Sequence, residues 1–156
     1  MPIRKATVED APAILAVHVS SIQGLCGPQY GADAIAEWTG ALAVDRYVAR
    51  MAEFEFFVAE EAGAVVGFAA LDTAGQDLHA LYVAPVATGR GVGRALVAVC
   101  EELARSLGLS RLTVRATLNA VSFYEQQGFT RVGSSRHALP SGRELACEDM
   151  VKVLAS

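Results

Sequence analysis

From Leu78 to Leu103 the chain reads LHALYVAPVATGRGVGRALVAVCEEL: an apolar strand, a proline, a glycine-punctuated turn and an amphipathic helix. With the strand that follows at Leu112–Val114, this is a βαβ unit, which requires parallel strands and puts ligand binding at the carboxyl end of the first. The same order sets a row of backbone N–H groups at a helix N-terminus, a ready-made cradle for phosphate. Gly89, Gly91 and Gly93 alternate with Arg90, Val92 and Arg94, so backbone and guanidinium groups can both approach an anion. The segment reads as a site for an anionic, phosphorylated ligand. A glycine-rich turn with no ligand is the alternative on this segment alone.

Spacing decides between phosphate ligands. A P-loop needs Lys-Ser/Thr after its last glycine, whereas Gly93 is followed by Arg94-Ala95. A dinucleotide fingerprint needs a third glycine where Leu96 or Arg94 stands, and an acidic residue ending the next strand, where Arg115 stands. Both nucleotide readings fail at named positions.

The stretch Leu81–Leu96 (LYVAPVATGRGVGRAL) resembles the acetyl-CoA-binding motif of the GNAT superfamily of N-acyltransferases. The family pattern Gln/Arg-x-x-Gly-x-Gly/Ala falls on Thr88, Gly91 and Gly93, and Thr88 departs from it by lacking the long polar side chain. A second block, Thr117–Phe129 (TLNAVSFYEQQGF), resembles the family's other signature, with Phe123-Tyr124 on a short helix ahead of Gly128-Phe129. Ile3–Thr7 and Asp149–Lys152 resemble its first and last strands. The resemblance runs over essentially the whole chain, residues 1–156, as one domain. It implies an α+β fold: a mostly antiparallel twisted sheet with one parallel strand pair, flanked by helices. It also implies acetyl-CoA as co-substrate. In that picture the two parallel strands splay and the pantetheine arm slots between them along Leu81, Tyr82 and Val83. The amides of Gly89 to Arg94 would hold the pyrophosphate, and Thr117, Ala120 and Phe123 would complete the cofactor site with Thr88.

Acyl transfer from a thioester to an amine needs a neutral amine, a donor for the tetrahedral oxyanion and a proton for the leaving thiolate. By the resemblance Tyr124 stands at the general-acid position, and the backbone N–H of Val83 is the oxyanion donor. On helix spacing alone, Tyr124 reads first as a packing aromatic, and it is the motif match that turns the reading to a catalytic role. His79, with an ordinary pKa of about 6.5, is the candidate base. Asp77 is a second candidate that also reads as a turn residue. Some relatives carry a Glu base where Thr113 stands, and Thr113 cannot fill that role. Strict alternation along Leu78–Val83 predicts His79 and Leu81 on one face and Leu78, Ala80 and Tyr82 on the other. Tyr30, Trp38 and Cys26 are the candidate substrate residues, with His18 and Ser21 nearby and His137 and Glu144 flanking the last hairpin.

The rest of the pattern predicts βααβββαβαββ. Thr7 with Asp10 reads as a helix cap, the runs 54–60 and 65–71 as a hairpin, and Gly108 and Gly128 as helix stops. Hydrophobic residues make up 53% of the chain, yet no apolar run reaches the ~18 residues of a membrane span. No charged-then-apolar leader is seen, and a formal charge of −4 argues against nucleic acid as a partner. Cys26, Cys100 and Cys147 are odd in number and lack metal-ligand spacing, so no metal is expected and the thiols suit a reducing cytoplasm. The surplus of 17 acidic over 13 basic residues favours a cationic acceptor. The expected function is acetyl transfer to a primary amine of a small molecule or peptide. A non-catalytic acyl-CoA-binding domain is the alternative, and a bulkier acyl group or an oxygen acceptor is a third reading. A homodimer through the C-terminal strands is left open by the resemblance.

Overall fold

The computed structural model describes residues 2–154 and builds them around one seven-stranded sheet. Its strands are β1 (Ile3–Lys5), β2 (Glu55–Glu61), β3 (Ala64–Asp72), β4 (Asp77–Val83), β5 (Arg111–Thr117), β6 (Thr130–Ala138) and β7 (Glu144–Val153). They lie in the order β1-β2-β3-β4-β5-β7-β6, antiparallel throughout except for the β4–β5 pair. The seven strands and the single parallel pair match the expected architecture.

The helices are α1 (Ala11–Leu25), α2 (Gly27–Tyr30), α3 (Ala32–Gly40), α4 (Val44–Met51), α5 (Val92–Ser106) and α6 (Val121–Gln126). Only two helices were expected between β1 and β2, and four are found. The short α2 ends at Gly31, whose φ of 85° separates it from α3. The sequence of α4, VDRYVARM, is amphipathic, and its Val44 and Val48 are exposed at the margin of the apolar face. Val44, Tyr47, Val48 and Met51 stand at helical spacing, and of them Tyr47 and Met51, four residues apart, carry the contact with the core.

Asp10 anchors the first turn as the Thr7–Asp10 spacing predicts. Its carboxylate accepts the Thr7 amide at 2.7 Å and takes two bonds of 2.8 Å from the Arg4 guanidinium. That pairing holds the Asp10 carboxyl down at about 2.

The two faces of the sheet bury different things. One packs against α5 and α6 around Leu71, Leu78, Leu96, Leu112, Tyr124 and Met150. The other packs Phe56, Val58 and Phe68 against Ile14 and Val17 of α1 and Tyr47 of α4. Gly67 makes the α5 side possible: a Cβ there would stand 2.9 Å from Val92 Cγ1 and 3.3 Å from the Tyr82 carbonyl.

Strand β4 breaks the strict alternation. Its register against β3 steps from Ala70–Ala80 to Leu71–Leu78 and leaves His79 as the extra residue of a bulge. Leu78, Leu81 and Val83 therefore pack toward α5, while Ala80 and Tyr82 pack on the opposite face. The expected grouping of Leu78 with Ala80 and Tyr82, and of His79 with Leu81, is corrected by this one inserted residue.

Candidate active site

β4 and β5 meet at one point. The backbone pairing between them is Asp77 with Thr113, sealed by the Thr113 amide on the Gln76 carbonyl at 2.9 Å. The Thr113 hydroxyl also donates to Asp77 Oδ1 at 2.6 Å. Beyond this apex the strands diverge, because the bulge at His79 turns β4 while β5 stays in register with β7 through Thr117. The edge of β4 from Leu78 to Val83 that faces β5 is left without backbone pairing, in the open seam between two parallel strands.

The far end of the seam runs into the glycine turn. Pro85–Ala87 forms a single 3-10 turn, and Gly91 caps α5 in the left-handed region at φ 81°. Gly89 is also left-handed, at φ 79°, and the Cβ positions of both open onto free space. Among the described residues, the amides of Val92, Gly93 and Arg94 find no acceptor in the chain. They are the orphan donors of a helix N-terminus and carry its positive partial charge. Of the two arginines expected there, Arg90 turns aside to Glu61 at 3.1 Å, and exposed Arg94 makes no ion pair among the described residues. The Thr88 hydroxyl folds back onto the Pro85 carbonyl at 2.9 Å and leaves the cradle to the backbone. Gly93 lets α5 close on the seam: a Cβ there would lie 3.0 Å from Phe123 Cζ and 3.7 Å from Val83 Cγ2.

Tyr124 approaches from the α5 side. It is buried in edge-to-face contact with Phe123 and Phe129, at 5.1 and 5.5 Å between ring centroids. Its hydroxyl makes no hydrogen bond within the described residues, so the phenol is a donor without an acceptor. Burial raises its pKa well above that of a free tyrosine, and the Cys100 and Asp77 side chains add to the effect.

On the opposite face lies a cavity of about 880 Å³ whose wall includes all three histidines, His18, His79 and His137. His79 projects from the bulge against the Phe54 ring, 4.7 Å between centroids. Its pKa falls below the usual histidine value, chiefly because burial disfavours the cation and then because Arg50 lies near. His18, from α1, stacks on Tyr82 at 4.1 Å and shares a 2.8 Å hydrogen bond between Nδ1 and the Tyr47 hydroxyl. Its buried Nε2 has no partner, and burial pulls its pKa down to about 3. Both imidazoles are neutral at pH 7.

The remaining sequence candidates divide. Trp38 lines the cavity with Tyr82 and Thr117. Leu81, Val83, Ala120 and Phe123 are packed around the α5 core, so only their backbone or edges are available to a ligand. Tyr30 and Cys26 do not line the cavity. The Tyr30 hydroxyl donates to the Ala146 carbonyl at 2.6 Å and accepts from the Leu118 amide at 2.9 Å, tying α2 to β7 and to the end of β5. Cys26 is 2% exposed among Ile22, Ile35 and Trp38, and burial pushes its thiol up to about 11. Ser21 is buried in α1 and Glu144 is exposed, and neither reaches the cavity. Sequence reasoning does not find Arg46, Tyr47 or Arg115, which the cavity wall does include. Arg46 and Tyr47 ride on the unread helix α4, and Arg115 drew notice only as a missing acid.

A family model described as an acetyltransferase (GNAT) domain matches residues 26–138. Over 88 residues the chain is 34% identical to the IAA acetyltransferase of Azospirillum brasilense, covering 52% of this chain and 58% of that protein. Over 130 residues it is 32% identical to the peptidyl-lysine N-acetyltransferase YiaC of Escherichia coli, covering 81% and 82% of the two chains. A crystal structure of a GCN5-related N-acetyltransferase from Rhodopseudomonas palustris superposes with a TM-score of 0.92 at 32% identity, covering 98% of this chain and 95% of that one. Other structures of the same fold, at 20% to 24% identity, were solved with acetyl-CoA or coenzyme A.

Proposed function

The chain belongs to the GNAT acetyltransferase family, and on that premise we propose that it transfers an acetyl group from acetyl-CoA directly to a primary amine of a small molecule or peptide. The observation that carries the proposal is the β4–β5 seam, closed at Asp77–Thr113 and opening onto the unpaired amides of Val92, Gly93 and Arg94. An extended amide chain ending in a pyrophosphate fits that shape: the unpaired strand edge suits the chain, and the helix N-terminus suits the anion. The cofactor supplies a thioester. Everything else in the reaction falls to the protein.

The amine nitrogen bonds to the acetyl carbon, the carbon–sulfur bond breaks, and its electron pair leaves on sulfur. One proton must leave the amine and one must reach the thiolate. Tyr124 suits the second task, because its raised pKa keeps it protonated at neutral pH and its hydroxyl is not engaged elsewhere. His79 suits the first, since it is neutral at pH 7 and stands on the cavity wall beside the apex of the seam. His18 faces the same cavity, but a pKa of about 3 makes it too weak a base and suits it to hydrogen bonding. The amide of Val83, on the open edge of β4, is the candidate oxyanion donor.

Release of free thiol from acetyl-CoA, followed against a panel of amines with the acetylated product identified by mass, tests the proposal. Acceptor-dependent release supports it. Binding of the cofactor with no release across the panel turns the reading to a binding domain.

A further inference from the structure

The charges on the cavity wall run against those of the chain. The protein as a whole carries a formal charge of −4, yet the wall has Arg46, Arg50 and Arg115 against only Asp77 and Asp149. Each carboxylate accepts one hydroxyl through one oxygen, Asp77 from Thr113 at 2.6 Å and Asp149 from Ser135 at 2.7 Å, which leaves the wall with three guanidiniums against two carboxylates. Arg50 is partly occupied, 3.7 Å from Glu53 and 5.5 Å over the Phe54 ring. Arg46 on α4 and Arg115 on β5 make no ion pair among the described residues. Arg115 stands opposite Asp149 in the β5–β7 register, yet the two do not come within salt-bridge distance. His18, His79, His137, Tyr47, Tyr82 and Cys147 complete the titratable groups of the wall.

The same wall is also aromatic, with Trp38, Tyr47, Phe68 and Tyr82. His18 adds a polar group deep in this lining. Its Nδ1 is engaged with the Tyr47 hydroxyl, and its buried Nε2 is a polar atom that no described protein group satisfies.

Building on the transferase reading, we propose that the acceptor carries a carboxylate next to its amine, as an amino acid does, and that Arg46 and Arg115 bind that carboxylate. The amine end then lies toward Asp77 and His79 at the apex of the seam, and an apolar side chain is accommodated by the aromatic wall. A guanidinium is the group whose planar fork matches a carboxylate, and charge-assisted hydrogen bonds of this kind are about twice as strong as neutral ones. This reverses the expectation of a cationic acceptor drawn from net charge, because net charge averages over a surface that the acceptor never meets.

Phenylalanine, phenylalaninamide and phenethylamine form a test series in which the amine is kept and the carboxylate is retained, neutralised or removed. Acetyl transfer should favour phenylalanine over both others by roughly 10-fold or more in kcat/KM, as expected for a charge-assisted pair. Arg46→Gln and Arg115→Gln should each shrink that preference, while Arg46→Lys should retain part of it. Both side chains are exposed, so thermal melting of the variants should match the parent protein. Equal rates on the three amines, a preference for lysine peptides, or an acid preference untouched by both arginine variants would overturn the proposal and leave the transferase reading standing. No transfer to any amine in the presence of bound coenzyme A would instead remove the transferase reading itself.

Discussion

Thr113 hands its hydroxyl hydrogen to Asp77 across 2.6 Å at the last point where β4 and β5 touch. That bond pins the apex of the seam. It places the Asp77 carboxylate two residues from His79 on the neighbouring bulge, at the closed end of the seam.

Tyr124→Phe removes only a hydroxyl that has no partner in the described residues, so folding stability and cofactor affinity should change little. The turnover number should fall on the order of 100-fold, the scale of a lost general acid. Steady-state kinetics with a parallel binding titration separates the two quantities. A variant as active as its parent would make Tyr124 a packing residue.

The pH profile should show His79. Burial lowers its pKa below the ordinary histidine value of about 6.5, so it is deprotonated and competent above that value, and kcat/KM should hold through neutral pH and decline on acidification. His79→Gln should lower the rate and remove that acid limb. A limb unchanged in the variant would assign the base elsewhere.

His18 should make folding stability depend on pH in a predictable direction. Its folded pKa of about 3 lies below the unfolded value near 6.5, so the unfolded chain takes up a proton first as the solution is acidified. Stability is complete above pH 6.5 and should be lost by about 1.4 kcal/mol per pH unit as the pH drops from 6 toward 4. Denaturant melts of the parent and of His18→Phe, compared at pH 7 and pH 5, check the slope. The variant should lose less over that interval.

Tyr30→Phe should destabilise without touching catalysis directly. It strips the Ala146 carbonyl and the Leu118 amide of their shared partner, and ordinary hydrogen bonds of this kind contribute about 0.5 to 1.5 kcal/mol each. A chemical denaturation midpoint measures it.

Much of this fold is readable from the chain because its signals are local. The glycines around α5, the hairpin of β2 and β3, the stop at Gly108 and the Phe123-Tyr124 pair each depend on neighbours a few residues away. The cavity is not local. His18, His79 and His137 come from α1, a bulge in β4 and β6, and no spacing in the sequence announces that they converge. The bulge itself is invisible because it is defined by the register with β3, not by the residues of β4. Tyr30 illustrates a different limit: a tyrosine beside a glycine suits a binding loop, but two backbone groups, at Ala146 and Leu118, have claimed its hydroxyl. Arg46 rides on α4, only 8 residues long, and its place on the cavity wall depends on how that short helix packs against α1 rather than on any local spacing.

The measurement that bears most directly on the seam as an acyl-transfer site is free-thiol release from acetyl-CoA by the parent protein and Tyr124→Phe, with and without an amine acceptor. Release that requires the acceptor, yields the N-acetylated amine and collapses in the variant is the predicted result. Cofactor bound equally by both proteins, with no acceptor-dependent release from either, would contradict the account.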